Sequence, residues 1–214
     1  MIFPKSRPIL FVTALSFESQ AVRSARPFWQ AVANHSSRTL FQHAQLPLYL
    51  VEVGPGFRLA ADSFRELLQQ LRPRWLINLG ICGSLAPQMS WGQTYQIQRI
   101  QATRCLRPLE IPVEPALQPL FPPANLLTSH QPVLTAALRE HHLQQTGAEL
   151  VDMEAYYIVE MAQSLDIPVL VLKTVSDFAD ESSLRILKER RSALRQSLVQ
   201  TAKRLIAFLF PEEK

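Results

Sequence analysis

Residues 149–180, ELVDMEAYYIVEMAQSLDIPVLVLKTVSDFAD, place carboxylates at both ends of a segment that reads as a buried helix followed by a buried strand. Glu154 opens the helix and Asp177 closes the strand. Asp177 follows the apolar run of residues 169–175, and in open α/β sheets ligands bind in the crevice beyond the carboxyl ends of the strands. An acid at that point is positioned to work on a bound molecule rather than to decorate a surface.

The elements that must position these groups follow from periodicity. Residues 9–14, 48–53, 75–79, 95–100 and 169–175 are short apolar runs that read as strands, and residues 17–26, 57–72, 132–145, 153–165 and 184–210 carry helical spacing. Such alternation predicts a layered α/β fold with a largely parallel sheet. The first strand feeds its helix through Leu15, Ser16 and Phe17, and the second does so through Gly54, Pro55 and Gly56, a turn whose glycines permit close backbone approach. GICGS at residues 80–84 reads either as a simple turn after the third strand or as a place where a ligand meets the main chain. The Pro-rich stretch of residues 103–123 has little periodicity and reads as a long surface loop, of a length that in compact domains is often functional.

Composition narrows the function classes. A chain of 214 residues with 47% apolar content supports one sizeable core, and no Gly/Ser tract divides it, so a single domain over residues 1–214 is expected. The net charge of +4 is dispersed, with a modest cluster at Lys188, Arg190, Arg191 and Arg195 interleaved with Glu189. That pattern suits a solvated helix face and lacks the clustered, groove-reading surface of a nucleic-acid binder. Cys82 and Cys105 are too few for a disulfide framework and lack metal-ligand spacing, which fits a reducing cytosol. His141 and His142 are adjacent on a helix and point apart, so no metal is expected. No run approaches the ~20 apolar residues of a membrane span, and the expected location is the cytoplasm.

With these residues in view, the chain resembles the nucleoside phosphorylase/nucleosidase superfamily over nearly its whole length. The resemblance rests on TALSFE at residues 13–18, GPG at 54–56, LINLGICGSLAP at 76–87, VDMEA at 151–155 and TVSDFAD at 174–180. Within the superfamily it is most similar to the 5'-methylthioadenosine/S-adenosylhomocysteine nucleosidases, and residues 128–154 also resemble the hopanoid-associated phosphorylases. The resemblance implies a three-layer α/β/α sandwich with a mixed, largely parallel central sheet, and cleavage of the bond between a purine and ribose. It implies that Asp177 protonates N7 of the leaving purine and that Glu18 positions the attacking water. It further implies that Glu154 holds the ribose hydroxyls, that Met153 packs on the sugar and that Val133 lies where backbone reads the adenine edge. Gly83, Ser176 and Lys173 are expected to line the same pocket. The implied partner is a small purine nucleoside, with no cofactor, no nucleic acid and no membrane, and the family commonly forms homodimers.

The chemistry explains the residue types. An N-glycosidic bond breaks through an oxocarbenium-like sugar, so the purine must leave with its developing charge neutralised. A carboxyl group can supply that proton only if it holds one near neutral pH, and burial favours the protonated form; Asp177, at the end of an apolar strand, is expected to play this part. Glu18 is expected to stay ionised, orienting water and favouring the cationic sugar. Read without the resemblance, Asp152 and Glu154 are N-terminal helix acids, Asp177 is a turn or helix cap, Glu18 is a solvated first-turn acid, Met153 is core, and Tyr156 and Tyr157 pack.

The chain departs from the family pattern in places. Ile81 stands where the nucleosidases have Ser, Lys173 where they have Arg, His130 where Asp is common and Gln93 where the usual GD pair has Asp. Lys173 keeps the charge but loses the planar fork. Hexameric phosphorylases bind phosphate with an Arg and a Ser at the positions of Asn78 and Ile81, a dianion left without those donors binds poorly, and Arg58 or Lys173 is the available substitute. Three readings therefore stand: a hydrolase, a phosphorylase acting on an adenosyl-lipid, and a nucleoside-binding protein without turnover.

Overall fold

A computed structural model describes residues 7–32, 40–55, 57 and 61–211. The elements in chain order are β1 (Ile9–Thr13), α1 (Ser16–Ala25), β2 (Trp29–Val32), β3 (Leu40–His43), β4 (Leu48–Glu52), α2 (Ala61–Leu71), β5 (Trp75–Ser84), β6 (Thr94–Ala102), β7 (Cys105–Glu110), β8 (Pro123–Thr128), α3 (Ala136–Thr146), β9 (Leu150–Asp152), α4 (Ala155–Gln163), β10 (Val169–Asp177), α5 (Ser183–Glu189) and α6 (Arg191–Leu209).

The centre of the sheet is parallel, as β4, β1, β5 and β10 pair side by side in register. Its strands are apolar on both faces because helices cover both. Ile9, Phe11, Ile77, Leu79, Leu170 and Leu172 pack with α1 and α6 on one side. Leu10, Val12, Leu76, Val169 and Val171 pack with α2 and α4 on the other. This is the expected three-layer sandwich, extended by antiparallel strands: β3 pairs β4 and β2 pairs β3 at one end, and β6 pairs β10 at the other. The sheet also curls. β10 pairs β6, β6 pairs β8, β8 pairs β9, β9 pairs β5, and β5 pairs β10, so five strands close on themselves beside the parallel centre.

Several expectations are corrected. The segment 103–123 is not a bare loop: it holds β7 and a 3-10 turn at Pro115–Leu117, with Leu109, Ile111, Leu117 and Phe121 buried. GICGS is not a simple turn, because β5 continues through Ser84. The final helical pattern is two helices, broken at Arg190, whose φ of −103° and ψ of 12° leave the α-helical region. Gly56 and Arg58 lie outside the described residues. Among the described residues, no helix is long and apolar enough to cross a membrane.

Candidate active site

A cavity of about 220 Å³ opens at the carboxyl ends of β1, β5, β9 and β10. Glu18, Gly83, Val133, Met153, Glu154, Ser176 and Asp177 line it, so residues from five separate stretches of sequence meet there. Lys173 does not. The residue is 2% exposed and lies behind the cavity wall, with Nζ 2.8 Å from Asp152 Oδ2, because a buried ammonium is retained only beside a matching charge.

Glu18 sits at the third position of α1 and reaches back over the helix start. Its Oε2 accepts hydrogen bonds from the backbone N–H of Ala14 and Leu15, each at 2.9 Å, and its Oε1 accepts one from Ile81 N–H at 2.9 Å. It thus does half the work of a capping box while presenting the carboxylate to the cavity. The side chain is 2% exposed, unlike the solvated acid that its place in a first turn suggests. Burial pushes its pKa up, against the opposing pull of the Lys173 ammonium and the three N–H donors. The burial expected of Asp177 therefore falls on Glu18, and Asp177 is half-buried.

Asp177 is aimed by an irregularity. The register of β10 against β5 shifts between Val175 and Asp177, inserting Ser176 and setting Asp177 opposite Gly83. Trp91 Nε1 donates to the Ser176 carbonyl at 2.7 Å and fixes the bulge. Ala179 N–H donates to Asp177 Oδ1 at 2.9 Å, with Ala179 buried at φ +50°, a strained left-handed conformation for a residue with a Cβ. Ser176 Oγ lies 3.0 Å from the Cys82 carbonyl oxygen and 2.6 Å from Asp177 Oδ2. The single hydroxyl proton serves one of these acceptors at a time. With a proton on the Asp177 carboxyl, that proton bridges to Ser176 Oγ, and both contacts become hydrogen bonds.

The two glycines of GICGS explain why β5 tolerates them. A Cβ at Gly80 would come within 3.0 Å of Glu18 Oε1 and 3.4 Å of Lys173 Nζ, and a Cβ at Gly83 within 3.3 Å of Asp177 Oδ1. What approaches the main chain here is the protein's own side chains, Glu18 and Lys173 at Gly80 and Val151, Ala179 and Asp177 at Gly83, as glycine inside a strand often signals.

Glu154 occupies the N-cap position of α4, yet its side chain makes no capping bond. Asp152 Oδ2 accepts from Ala155 N–H at 3.0 Å, and Thr128 Oγ1 accepts from Tyr156 N–H at 3.0 Å. Neighbours thus satisfy the first two orphan donors of the helix start, and Glu154 is among the residues that line the cavity. Asp152 lines the cavity as well. As a sequence it reads only as a helix acid, and VDME is the one signal that could have singled it out. The apolar lining adds Leu15, Ile81, Leu184 and Leu187, of which Leu184 is 65% exposed at the mouth. Tyr156 packs, being buried, with its hydroxyl donating to the Arg107 carbonyl at 3.0 Å.

Comparison with known proteins agrees with this architecture. A family model described as the phosphorylase superfamily matches residues 125–209. No curated protein matches the chain. Among solved structures, the apo 5'-methylthioadenosine nucleosidase of Arabidopsis thaliana superposes with a TM-score of 0.84 at 19% identity, over 97% of this chain and 98% of that one. The futalosine hydrolase mutant of Helicobacter pylori gives 0.81 at 13%, over 95% and 99%. A mutant of the 5'-methylthioadenosine/S-adenosylhomocysteine nucleosidase of Helicobacter pylori, with 5'-methylthioadenosine in its active site, gives 0.81 at 14%, over 95% and 98%. The fold is that of the superfamily which the motifs resemble.

Proposed function

We propose that the protein hydrolyses the N-glycosidic bond of a purine nucleoside. The observation that carries this reading is that Glu18 and Asp177, far apart in sequence and differently bonded, line one cavity at the strand ends together with Glu154. The family match and the nucleosidase neighbours support it. Water held at Glu18 gives its proton to that carboxylate and its oxygen to C1' of the sugar. The C1'–N9 bond breaks, its electron pair leaves with the purine, and N7 takes the proton of Asp177. Glu154 accepts from the ribose hydroxyls, Met153 packs against the sugar and Val133 borders the base. Burial of Glu18 serves this assignment, since a raised pKa makes a carboxylate a better proton acceptor.

A specific observation favours water over phosphate as the nucleophile. Among the described residues, the lining holds four carboxyl side chains and not one Lys, Arg or His. A phosphate dianion entering this site meets like charge, and the nearest ammonium, Lys173, is already paired with Asp152. A single-domain, cytoplasmic homodimer is part of the same reading and rests on the superfamily resemblance.

Incubation with methylthioadenosine, S-adenosylhomocysteine, adenosine, inosine and futalosine, with and without phosphate, tests the reaction by chromatography of the free base. Release without phosphate is expected. Release that requires phosphate refutes hydrolysis, and thermal stabilisation by nucleosides without any base release refutes turnover.

Gly83→Ala is expected to lower kcat by up to about 10²-fold through misplacement of Asp177. The new methyl meets Val151 Cγ1 at 3.1 Å and Ala179 Cβ at 3.2 Å, neither of which is a flexible side-chain end, so the carboxyl at 3.3 Å must move. Overpacking should cost about 1–3 kcal/mol of stability. Unchanged kcat in a folded variant contradicts the placement of Asp177.

A further inference from the structure

The buried cation behind the cavity is grasped by one carboxylate, Asp152, and stands close to a second, Glu18, with which it forms no ion pair. Lys173 extends from β10 and its ion pair is with Asp152, the two side chains being 3% and 1% exposed. Asp152 is held in turn by three donors: Oδ1 accepts from Thr128 Oγ1 at 2.7 Å, and Oδ2 accepts from Ala155 N–H and from Lys173. One carboxylate therefore ties β8, β9, α4 and β10 together. The same ammonium stands 3.4 Å from the point where a Gly80 Cβ would lie, and Glu18 Oε1 stands 3.0 Å from it, so Lys173 and Glu18 flank one missing methyl group.

The groups facing Lys173 are Asp152 on β9, Glu154 at the start of α4, Glu18 on α1, the Cys82 thiol on β5 and, across the strand pair, Tyr95 on β6. Burial alone would lower the Lys173 pKa, but Asp152, Glu154 and Glu18 outweigh it and hold the side chain as an ammonium. A flexible four-carbon stem carrying a point charge has the freedom to pair with any nearby carboxylate. The partner it has in this fold is Asp152.

We propose that Asp152 is a positioning residue that fastens the Lys173 ammonium behind the cavity wall, keeping it from pairing directly with Glu18 and leaving that carboxylate available at the cavity. What Glu18 then does rests on the nucleosidase reading; where the ammonium is held does not. Asp152→Asn removes the anchor. The ammonium then turns to Glu18, whose titration midpoint should fall by about one pH unit, and kcat should fall by up to about 10²-fold. The neutral pair Asp152→Asn with Lys173→Gln removes both charges, keeps hydrogen-bonding side chains at both positions, and should instead raise the Glu18 midpoint above that of the wild type.

The midpoint is read by NMR titration of side-chain 13C-carboxyl-labelled glutamate, with the Glu18 signal assigned by its loss in Glu18→Ala, and the activity arm by the pH profile of kcat. Opposite displacements in the two variants support the proposal. A Glu18 midpoint that stays put in both shows Asp152 to be a helix cap and overturns it. Should the single variant fail to fold, the neutral pair decides by itself. Absence of base release by the wild-type protein would defeat the nucleosidase reading, while the carboxyl titration would still judge the positioning role.

Discussion

Asp177→Asn is expected to lower kcat for base release by ~10² to 10⁴ while leaving nucleoside affinity within a few-fold of the wild type. The substitution is nearly isosteric, and the hydrogen-bond inventory shows why the fold should accept it. The amide oxygen of the variant can keep the Ala179 N–H bond now made to Oδ1. Its NH₂ group can donate to Ser176 Oγ, which passes its own proton to the Cys82 carbonyl, so the variant reproduces the bonding of a protonated Asp177. What it lacks is a proton it can give away. Single-turnover release of base, measured beside equilibrium binding of the same nucleoside, separates the two effects. If base release persists within about threefold, as against the ~10² minimum for a positioned acid, Asp177 is not the acid.

Glu18→Ala is the second large effect, with kcat again reduced by ~10² to 10⁴. It carries a pH signature that Asp177→Asn does not. Because burial raises the Glu18 pKa above its ordinary value of 4.5, the acidic limb of kcat/KM in the wild type should have its midpoint above 4.5, rising in activity as the base deprotonates. A limb at or below 4.5 contradicts the assignment. Stability obeys the opposite sign. A carboxyl whose folded pKa exceeds its unfolded value binds its proton more tightly when folded, so its contribution is fully present below 4.5 and is lost as pH rises through the folded value. The stability advantage of the wild type over Glu18→Ala, followed by denaturant midpoints, should therefore be largest in acid and shrink toward neutrality. Part of that advantage comes from the N–H groups of Ala14, Leu15 and Ile81, since a buried donor left without an acceptor costs about 1–3 kcal/mol.

The parallel centre of the fold was legible because its strands are short apolar runs covered on both faces and its helices bury apolar residues at helical spacing. β9 was not. Its three residues, Leu150–Asp152, carry no strand signal, and they are extended because β8 and β5 flank them. β2 and β3 are only four residues each, and β7 hides in a Pro-rich stretch. The break at Arg190 has no Gly or Pro to announce it. GICGS misled for a reason that lies outside the segment, since a strand can keep glycine where other side chains need the space that a Cβ would fill.

By itself, the sequence determined which groups carry charge to the strand ends: Glu18 in a first turn, Asp177 after an apolar strand, Glu154 at a helix start, each fixed by local pattern and by motifs of unusual composition. Tertiary structure alone decided the state and aim of those groups. Burial depends on what packs over a side chain, so Glu18 rather than Asp177 is the enclosed carboxyl. Aim depends on hydrogen bonds between distant segments, so Asp152 and Thr128 cap α4 in place of Glu154, and Lys173 is paired with Asp152 instead of lining the cavity.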